Sequence, residues 1–121
     1  MRFATFLVTI LGLFTSLQGH SAERTFRVFE SKRITPLVDR FYGQDGNAFG
    51  TVFCNPQAAQ VMFVDSRVGD LDGKTFYFES VEACDKGRTQ ARQLSQKCVV
   101  ELVLDQETQG AQVRLSQCLG N

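Results

Sequence analysis

Four cysteines between residues 54 and 118 constrain the fold of this chain more than any other feature. They are Cys54, Cys84, Cys98 and Cys118. No two of them form the C-x-x-C pair that is typical of zinc ribbons, thioredoxin-type redox sites and haem attachment. In a short exported chain, an even number of cysteines instead predicts disulfide bonds, two in this case. Each bond is expected to stabilise the domain by about 2–4 kcal/mol, because it restricts the unfolded chain.

The four cysteines can pair in three ways. In a regular C-terminal hairpin, Cys98 belongs to the apolar face of its strand, whereas Cys118 has the opposite parity to the apolar Val113. These two cysteines would then lie on different faces of the hairpin, which disfavours a bond between them. We therefore favour Cys84–Cys98 together with Cys54–Cys118, and the other pairings stay open.

Residues 1–22 have the layout of a secretory signal peptide. Arg2 gives a positive start, residues 3–17 are almost unbroken in apolar character, and residues 16–22 are small and polar enough for cleavage. The apolar run is shorter than the roughly 20 residues that a membrane-spanning helix needs, which favours a cleaved signal over an anchor. Cleavage after Ser21 or Ala22 would leave one disulfide-stabilised domain, residues 23–121. We expect this domain to be secreted or periplasmic and to have no membrane span.

The single histidine, His20, lies within or beside this signal. Its removal would leave the domain without the usual general base, zinc ligand and partner of a serine or cysteine nucleophile. Asp65, Asp70 and Asp72 form an acidic loop, but the glycine and the closing glutamate of an EF-hand do not fall at the required positions. We interpret this loop as an ordinary turn, and we expect no metal and no cofactor.

Hydrophobic patterning and turn residues predict a mainly β (α+β) domain. Apolar residues in strand-like runs predict strands at 25–30, 48–54, 59–65, 75–80, 98–105 and 111–118. Thr35 and Pro36 followed by Gly43 predict a short helix over 36–42. Residues 81–96 are poor in β-formers and predict a second helical segment, which Gly87 would divide.

These elements favour a small antiparallel sheet or an OB-like barrel of five to six strands with one or two short helices, stapled by two disulfide bonds. The order of elements, with a helix before the last hairpin, resembles that of the OB-type barrel. This resemblance concerns element order alone and implies no function.

Basic and aromatic side chains supply the candidate binding site. Basic residues cluster near the start of the domain and over 85–97, and would meet an anionic partner if the two clusters are adjacent. Phe41 and Tyr42 precede a glycine-containing loop, an arrangement common in recognition sites, although core packing is the simpler interpretation of Phe41. We name Phe41, Tyr42, Arg88 and Arg92 as candidate binding residues. The alternative for the basic residues is a solvated helix face.

A formal net charge of zero does not fit a nucleic-acid binder. We expect a non-catalytic interaction module: a binding protein, an inhibitor or immunity-type factor, or a small secreted effector. Its expected partner is a protein or an anionic envelope or extracellular ligand. A structural envelope component is a further option.

The main alternative is a small histidine-free hydrolase of cell-wall or extracellular polymer that uses Asp and Glu side chains as acid and base. Glu79, Glu82 and Glu101 are its candidate residues. A deep cleft that holds two carboxylates would favour the hydrolase. A flat or convex patch of aromatic side chains and arginines would favour the interaction module.

Overall fold

A computed structural model describes residues 23–64 and 68–119 of the chain. The elements in chain order are β1 (Glu23–Val28), β2 (Glu30–Thr35), β3 (Val38–Tyr42), β4 (Ala48–Asn55), β5 (Ala58–Phe63), β6 (Thr75–Phe78), α1 (Val81–Leu94), β7 (Val99–Asp105) and β8 (Gly110–Ser116). The strands form one sheet in the order β1-β7-β8-β6-β5-β4-β3-β2. The predicted export signal, residues 1–22, and Asp65 of the acidic loop lie outside the described residues. Among the described elements, no helix has the length and apolar character needed to cross a membrane.

The prediction of a mainly β domain with two disulfide bonds is confirmed, whereas the predicted strand number is too low. The sheet has eight strands rather than five to six. It is also mixed rather than purely antiparallel, because β6 and β8 run parallel to each other. The C-terminal hairpin is confirmed, with β7 and β8 in continuous antiparallel register.

The largest difference from the predicted elements lies between residues 30 and 42, where a hairpin replaces the predicted helix over 36–42. The Thr35 hydroxyl accepts a hydrogen bond of 3.2 Å from the Leu37 backbone N–H, so the residues that resemble a helix start close a tight turn instead. In β3 the buried residues Asp39 and Phe41 alternate with partly exposed neighbours. This period of two is that of a strand.

β1 and β2 lie at opposite ends of the sheet order, yet only Phe29 separates them. β1 pairs with β7, β2 pairs with β3, and the Phe29 backbone N–H donates to the Tyr42 carbonyl at 2.8 Å. Val28 in β1 and Ser31 in β2 are both buried, although residues on the same face of a regular strand are separated by an even number of positions. One extra residue is therefore inserted near Phe29, as at a β-bulge. One bent strand therefore joins the two ends of the sheet.

The helix predicted over 81–96 is confirmed as a single helix, α1. It begins at Ser80, whose hydroxyl accepts from the Ala83 backbone N–H at 3.0 Å and caps the helix. Gly87 does not divide it. A Cβ atom on Gly87 would lie 2.8 Å from Val113 Cγ2, so glycine is the residue that lets α1 approach β8 this closely.

The hydrophobic core lies between α1 and the face of the sheet that α1 contacts. Phe63 occupies its centre, with its ring centroid 5.1 Å from that of Phe26, 6.0 Å from Phe49 and 5.9 Å from Phe76. Tilted contacts at these distances are favourable for aromatic rings. The helix contributes Cys84 and Ala91 to the same cluster. The domain thus has a phenylalanine-rich centre with α1 packed against it.

The observed disulfide bonds are Cys54–Cys84 and Cys98–Cys118, so the favoured pairing was wrong. Cys54 lies on the inner face of β4, which contacts α1, and it meets Cys84 in the first turns of the helix. Both side chains are fully buried. This bond fixes α1 to the sheet.

The Cys98–Cys118 bond forms because the hairpin ends before Cys118. The last register pair joins Val99 to Ser116, and Gln117 then adopts a left-handed conformation with φ of 49°. This residue interrupts the strand alternation, so the parity of Cys118 no longer decides its side of the sheet. Strand parity would hold for a continuous strand, but β8 ends at Ser116, two residues before Cys118.

Candidate functional site

Arg88 and Arg92 lie one turn apart on α1, and both bind the buried carboxylate of Asp39. Arg88 Nη1 donates to Asp39 Oδ1 at 3.1 Å, and Arg92 Nη1 donates to Oδ2 at 2.7 Å. The Ser31 hydroxyl donates to the same Oδ2 at 3.1 Å. Arg88 Nη2 also donates to the Pro36 carbonyl at 2.7 Å. These guanidinium groups connect α1 to the β2–β3 hairpin and are largely buried, with 7% of the Arg88 side chain and 18% of the Arg92 side chain exposed.

A second carboxylate balances the charge of this cluster. Arg88 Nε donates to Asp85 Oδ1 at 2.9 Å. Two guanidinium groups therefore meet two carboxylates, of which Asp39 is fully buried and Asp85 is half-exposed. A buried charge is tolerated when it is paired and hydrogen-bonded in this way. The cluster is a structural clamp between α1 and β3.

Phe41 and Tyr42, the other two candidate binding residues, point to opposite faces of β3. Phe41 is fully buried in the core, with its ring 6.3 Å from that of Phe49. Tyr42 lies on the outer face, where the Lys32 ammonium group is 5.0 Å from its ring centroid. Of the four candidate binding residues, Tyr42 is therefore the one that the structure places on the outside of the sheet.

Strand alternation brings further aromatic and basic residues to the same side as Tyr42. In β4, the core residues Val52 and Cys54 flank Phe53, which therefore points outward. Register pairs place Lys32 opposite Arg40 and connect Phe53, through Gln60, to Tyr77. We call this surface the aromatic–basic face; its members are Lys32, Arg40, Tyr42, Phe53, Met62 and Tyr77.

The charges of the aromatic–basic face are available to a ligand. Among the described residues, neither Lys32 nor Arg40 forms an ion pair, and Tyr77 is 51% exposed. Glu30, opposite Tyr42, brings one negative charge to the edge of this face. The face thus combines aromatic rings with a small excess of positive charge.

A cleft of about 480 Å³ opens between α1 and β8. Its charged lining residues are Glu23, Glu79, Asp105 and Lys86. Asp105 Oδ1 accepts the backbone N–H groups that follow it in the β7–β8 turn, with Glu107 N at 2.9 Å. The cleft therefore carries a net negative charge, and one of its carboxylates also shapes a turn.

The three carboxylates predicted for a hydrolase do not converge. Glu79 lines the cleft, whereas Glu101 forms an ion pair of 3.0 Å with Arg114 on the sheet surface. Glu82 lies in the first turn of α1 and does not line the cleft. In the described part of the chain, no group of three or more His, Cys, Asp or Glu side chains is arranged to hold a metal ion.

Sequence reasoning missed Asp39, the residue that determines what Arg88 and Arg92 do. A usable signal was present, because Asp39 has the same strand parity as Phe41. An aspartate on the apolar face of a strand requires a cationic partner. Because residues 36–42 were predicted to form a helix, their strand parity was not considered.

Comparisons with protein-family models, curated proteins and solved structures give no match for this chain.

Proposed function

We propose that this chain is a non-catalytic interaction module, secreted or periplasmic, that binds an anionic envelope or extracellular ligand through the aromatic–basic face. The observation that carries this proposal is the combination of Tyr42, Tyr77 and unpaired cations on one outer sheet face. Aromatic and arginine side chains dominate the energetics of binding surfaces. An acidic protein is the second class of partner.

The internal cluster shows which basic residues a ligand can use. Arg88 and Arg92 bind Asp39, whereas Lys32 and Arg40, which form no ion pair among the described residues, are the cations that the aromatic–basic face offers. A cation beside an aromatic ring, as Lys32 is beside Tyr42, offers both a charge and a flat apolar surface. Such a surface suits a ligand that carries phosphate or carboxylate groups on a partly apolar or sugar-like backbone.

Export is the second part of the proposal. Two disulfide bonds are typical of proteins that fold in oxidising compartments, and residues 1–22 have the layout of a signal peptide. The prediction is that the protein purified from its native compartment begins near Glu23 and contains no free thiol. N-terminal sequencing and mass measurement under non-reducing conditions check both points.

The finer fold proposal is a closed barrel with OB-like connectivity and an added hairpin. Three features support it: the bent strand β1–β2 that joins both ends of the sheet, the parallel β6–β8 pair, and α1 placed before the last hairpin. The OB-type barrel has a helix at the corresponding place in its element order. This connectivity by itself assigns no ligand.

Binding of anionic polymers tests the functional proposal. We would titrate the oxidised protein with long-chain polyphosphate and with polyglutamate, using neutral dextran as the control polymer. The variant K32Q/R40Q is expected to bind about tenfold more weakly, a loss of about 1.4 kcal/mol. The matched control K86Q/K97Q removes the same charge from α1 and the segment after it, where neither lysine forms an ion pair among the described residues, and is expected to bind like the unaltered protein.

The outcomes separate the partner classes. Salt-sensitive binding of polyphosphate that K32Q/R40Q weakens supports an anionic envelope or extracellular ligand. Preference for polyglutamate supports an acidic protein. Equal losses in the two double variants would show a response to net charge alone and would refute the assigned face.

The hydrolase remains a second candidate because Glu23, Glu79 and Asp105 share one cleft. Paired carboxylates are sufficient for glycoside hydrolysis. This activity would be established if the unaltered protein and the E82Q variant release reducing sugar from purified cell-wall polymer and the E79Q variant does not. No release by the unaltered protein would eliminate it.

A further inference from the structure

Strand β8 is paired along its whole length on one side and only at its beginning on the other. On the first side it runs antiparallel to β7 from Gly110 to Ser116. On the second side it meets β6 at two register pairs, which involve Gly110 and Ala111. β6 ends at Phe78, where the chain leaves the sheet to enter α1. In residues 23–64 and 68–119, no strand continues along the remainder of this edge of β8.

One hydrogen bond fixes which backbone groups face the open side. The Tyr77 N–H donates to the Gln109 carbonyl at 2.8 Å, so the odd-numbered residues of β8 point toward β6. Backbone groups alternate between the two sides of a strand. Val113 and Leu115 therefore direct their N–H and C=O groups to the open edge, whereas the even-numbered residues pair with β7.

The cleft between α1 and β8 lies along this open edge. Ala111 and Val113 line it from the inner face of the sheet, and Gly110 and Gln112 line it from the outer face. Because residues from both faces of β8 line the cleft, the cleft exposes the edge of this strand rather than one of its faces. Its volume, about 480 Å³, falls within the range of about 300–1,000 Å³ that is usual for ligand sites.

The net negative charge of the cleft favours a positively charged ligand. Glu23, Glu79 and Asp105 contribute three carboxylates, and Lys86 contributes one ammonium group. Unpaired strand edges bind extended segments by main-chain hydrogen bonds, and neighbouring side chains set the specificity. The geometry points to a binding site for an extended, lysine- or arginine-containing peptide segment that adds to β8 as a further strand.

This site differs from the aromatic–basic face, whose members lie on β2 to β6 and attract the opposite charge, although the two are neighbours where Tyr77 pairs with Gly110. Failure of the anionic-ligand proposal leaves the strand-addition site unaffected, and the converse also holds.

Amide hydrogen exchange tests the open edge directly in the unaltered, oxidised protein. The N–H groups of Val113 and Leu115 are expected to exchange at least about tenfold faster than those of Gln112 and Arg114, because the latter pair with β7. Similar protection of all four amides in the free protein would show that the edge is covered and would overturn the proposal.

The probe for binding is an acetylated and amidated octapeptide in which lysine and threonine alternate. At saturation it should protect the Val113 and Leu115 amides and leave those of Gln112 and Arg114 unchanged. The same peptide with an N-methyl group at every residue cannot donate to the edge from either of its own edges and is expected not to bind. A peptide with glutamate in place of lysine is expected to bind much more weakly.

Two protein variants separate the edge from general electrostatics. E79Q is expected to weaken binding of the lysine peptide about fivefold. E82Q removes the same charge outside the cleft and should bind as the unaltered protein does. Equal binding by the N-methylated peptide, equal losses in the two variants, or no binding by the lysine peptide would each overturn the proposal. Concentration-dependent dimerisation with protection of the same amides would assign the edge to a second copy of the chain instead.

Discussion

Replacing Asp39 with asparagine tests whether the buried clamp between α1 and β3 stabilises the domain. The substitution keeps the size of the side chain but removes the charge that Arg88 and Arg92 share. Only 7% of the Arg88 side chain is exposed, so its guanidinium group cannot recover hydration without movement of the helix. After the substitution Arg88 keeps only one carboxylate partner, the half-exposed Asp85, and Arg92 loses its carboxylate partner. Removing one partner of a buried ion pair costs about 3–5 kcal/mol, because a buried charge is left uncompensated.

The free energy of unfolding that D39N is expected to remove is large compared with the total stability of a small domain, about 5–15 kcal/mol. With a urea dependence of about 1.5 kcal/mol per molar, D39N is expected to lower the unfolding midpoint by about 2–3 M. R92Q should cost less, because the Arg92 side chain is 18% exposed and Arg88 still binds the carboxylate. Urea unfolding of the oxidised protein, followed by circular dichroism, measures both effects.

A matched control uses the same chemical change at an exposed ion pair. Asp70 pairs with Arg24 at the surface, with 64% of the Asp70 side chain exposed, so D70N is expected to cost about 1 kcal/mol or less. A double-mutant cycle with D39N and R88Q should show a coupling energy above about 1 kcal/mol. If D39N and D70N destabilise the domain equally, or the cycle shows no coupling, the reasoning about the clamp is refuted.

Two further stability predictions follow from the packing of α1 and from the disulfide bonds. G87A is expected to destabilise the domain by about 1–3 kcal/mol, because the added Cβ atom would lie 2.8 Å from Val113. Helix propensity alone predicts the opposite, a gain in stability of about 1 kcal/mol. The direction in which the urea midpoint of unfolding shifts decides between these two expectations. C54A/C84A should cost more than C98A/C118A, because Cys54 and Cys84 are both fully buried and leave a cavity in addition to the lost cross-link, whereas Cys118 is exposed. Thermal unfolding of the two double variants measures this difference, and an equal loss would contradict it.

The sequence predicts the elements whose signals are local. A serine cap and long polar residues identify α1, and the apolar alternation of β7 and β8 identifies the C-terminal hairpin. The β2–β3 hairpin was not predicted, because Thr35 and Pro36 suit a tight turn and a helix start equally well. The extra residue at Phe29, which divides one strand into β1 and β2, has no local signature that sets it apart from an ordinary strand position.

The candidate site is harder to predict because its geometry depends on distant residues. Arg88 and Arg92 lie on a basic stretch of sequence, and only the position of Asp39, some fifty residues earlier, shows that they point inward. The aromatic–basic face likewise combines residues from β2 to β6, whose neighbours follow from strand order. The parity of Tyr42 could be read from the sequence, whereas its proximity to Tyr77 across the sheet could not.

The bent strand at Phe29 also sets the order in which the domain can be completed. Within the part of the chain that the structure describes, β1 pairs only with β7, so each of its register pairs joins residues more than 70 positions apart in the chain. Contacts of such long range form late, since the intervening chain must be ordered first. As the chain is made in the N-to-C direction, the first strand would wait, unpaired on that side, until β7 has followed it. Folding of this domain therefore cannot be completed before β7 is available, and a chain truncated before β7 would leave its N-terminal strand open to association with other chains.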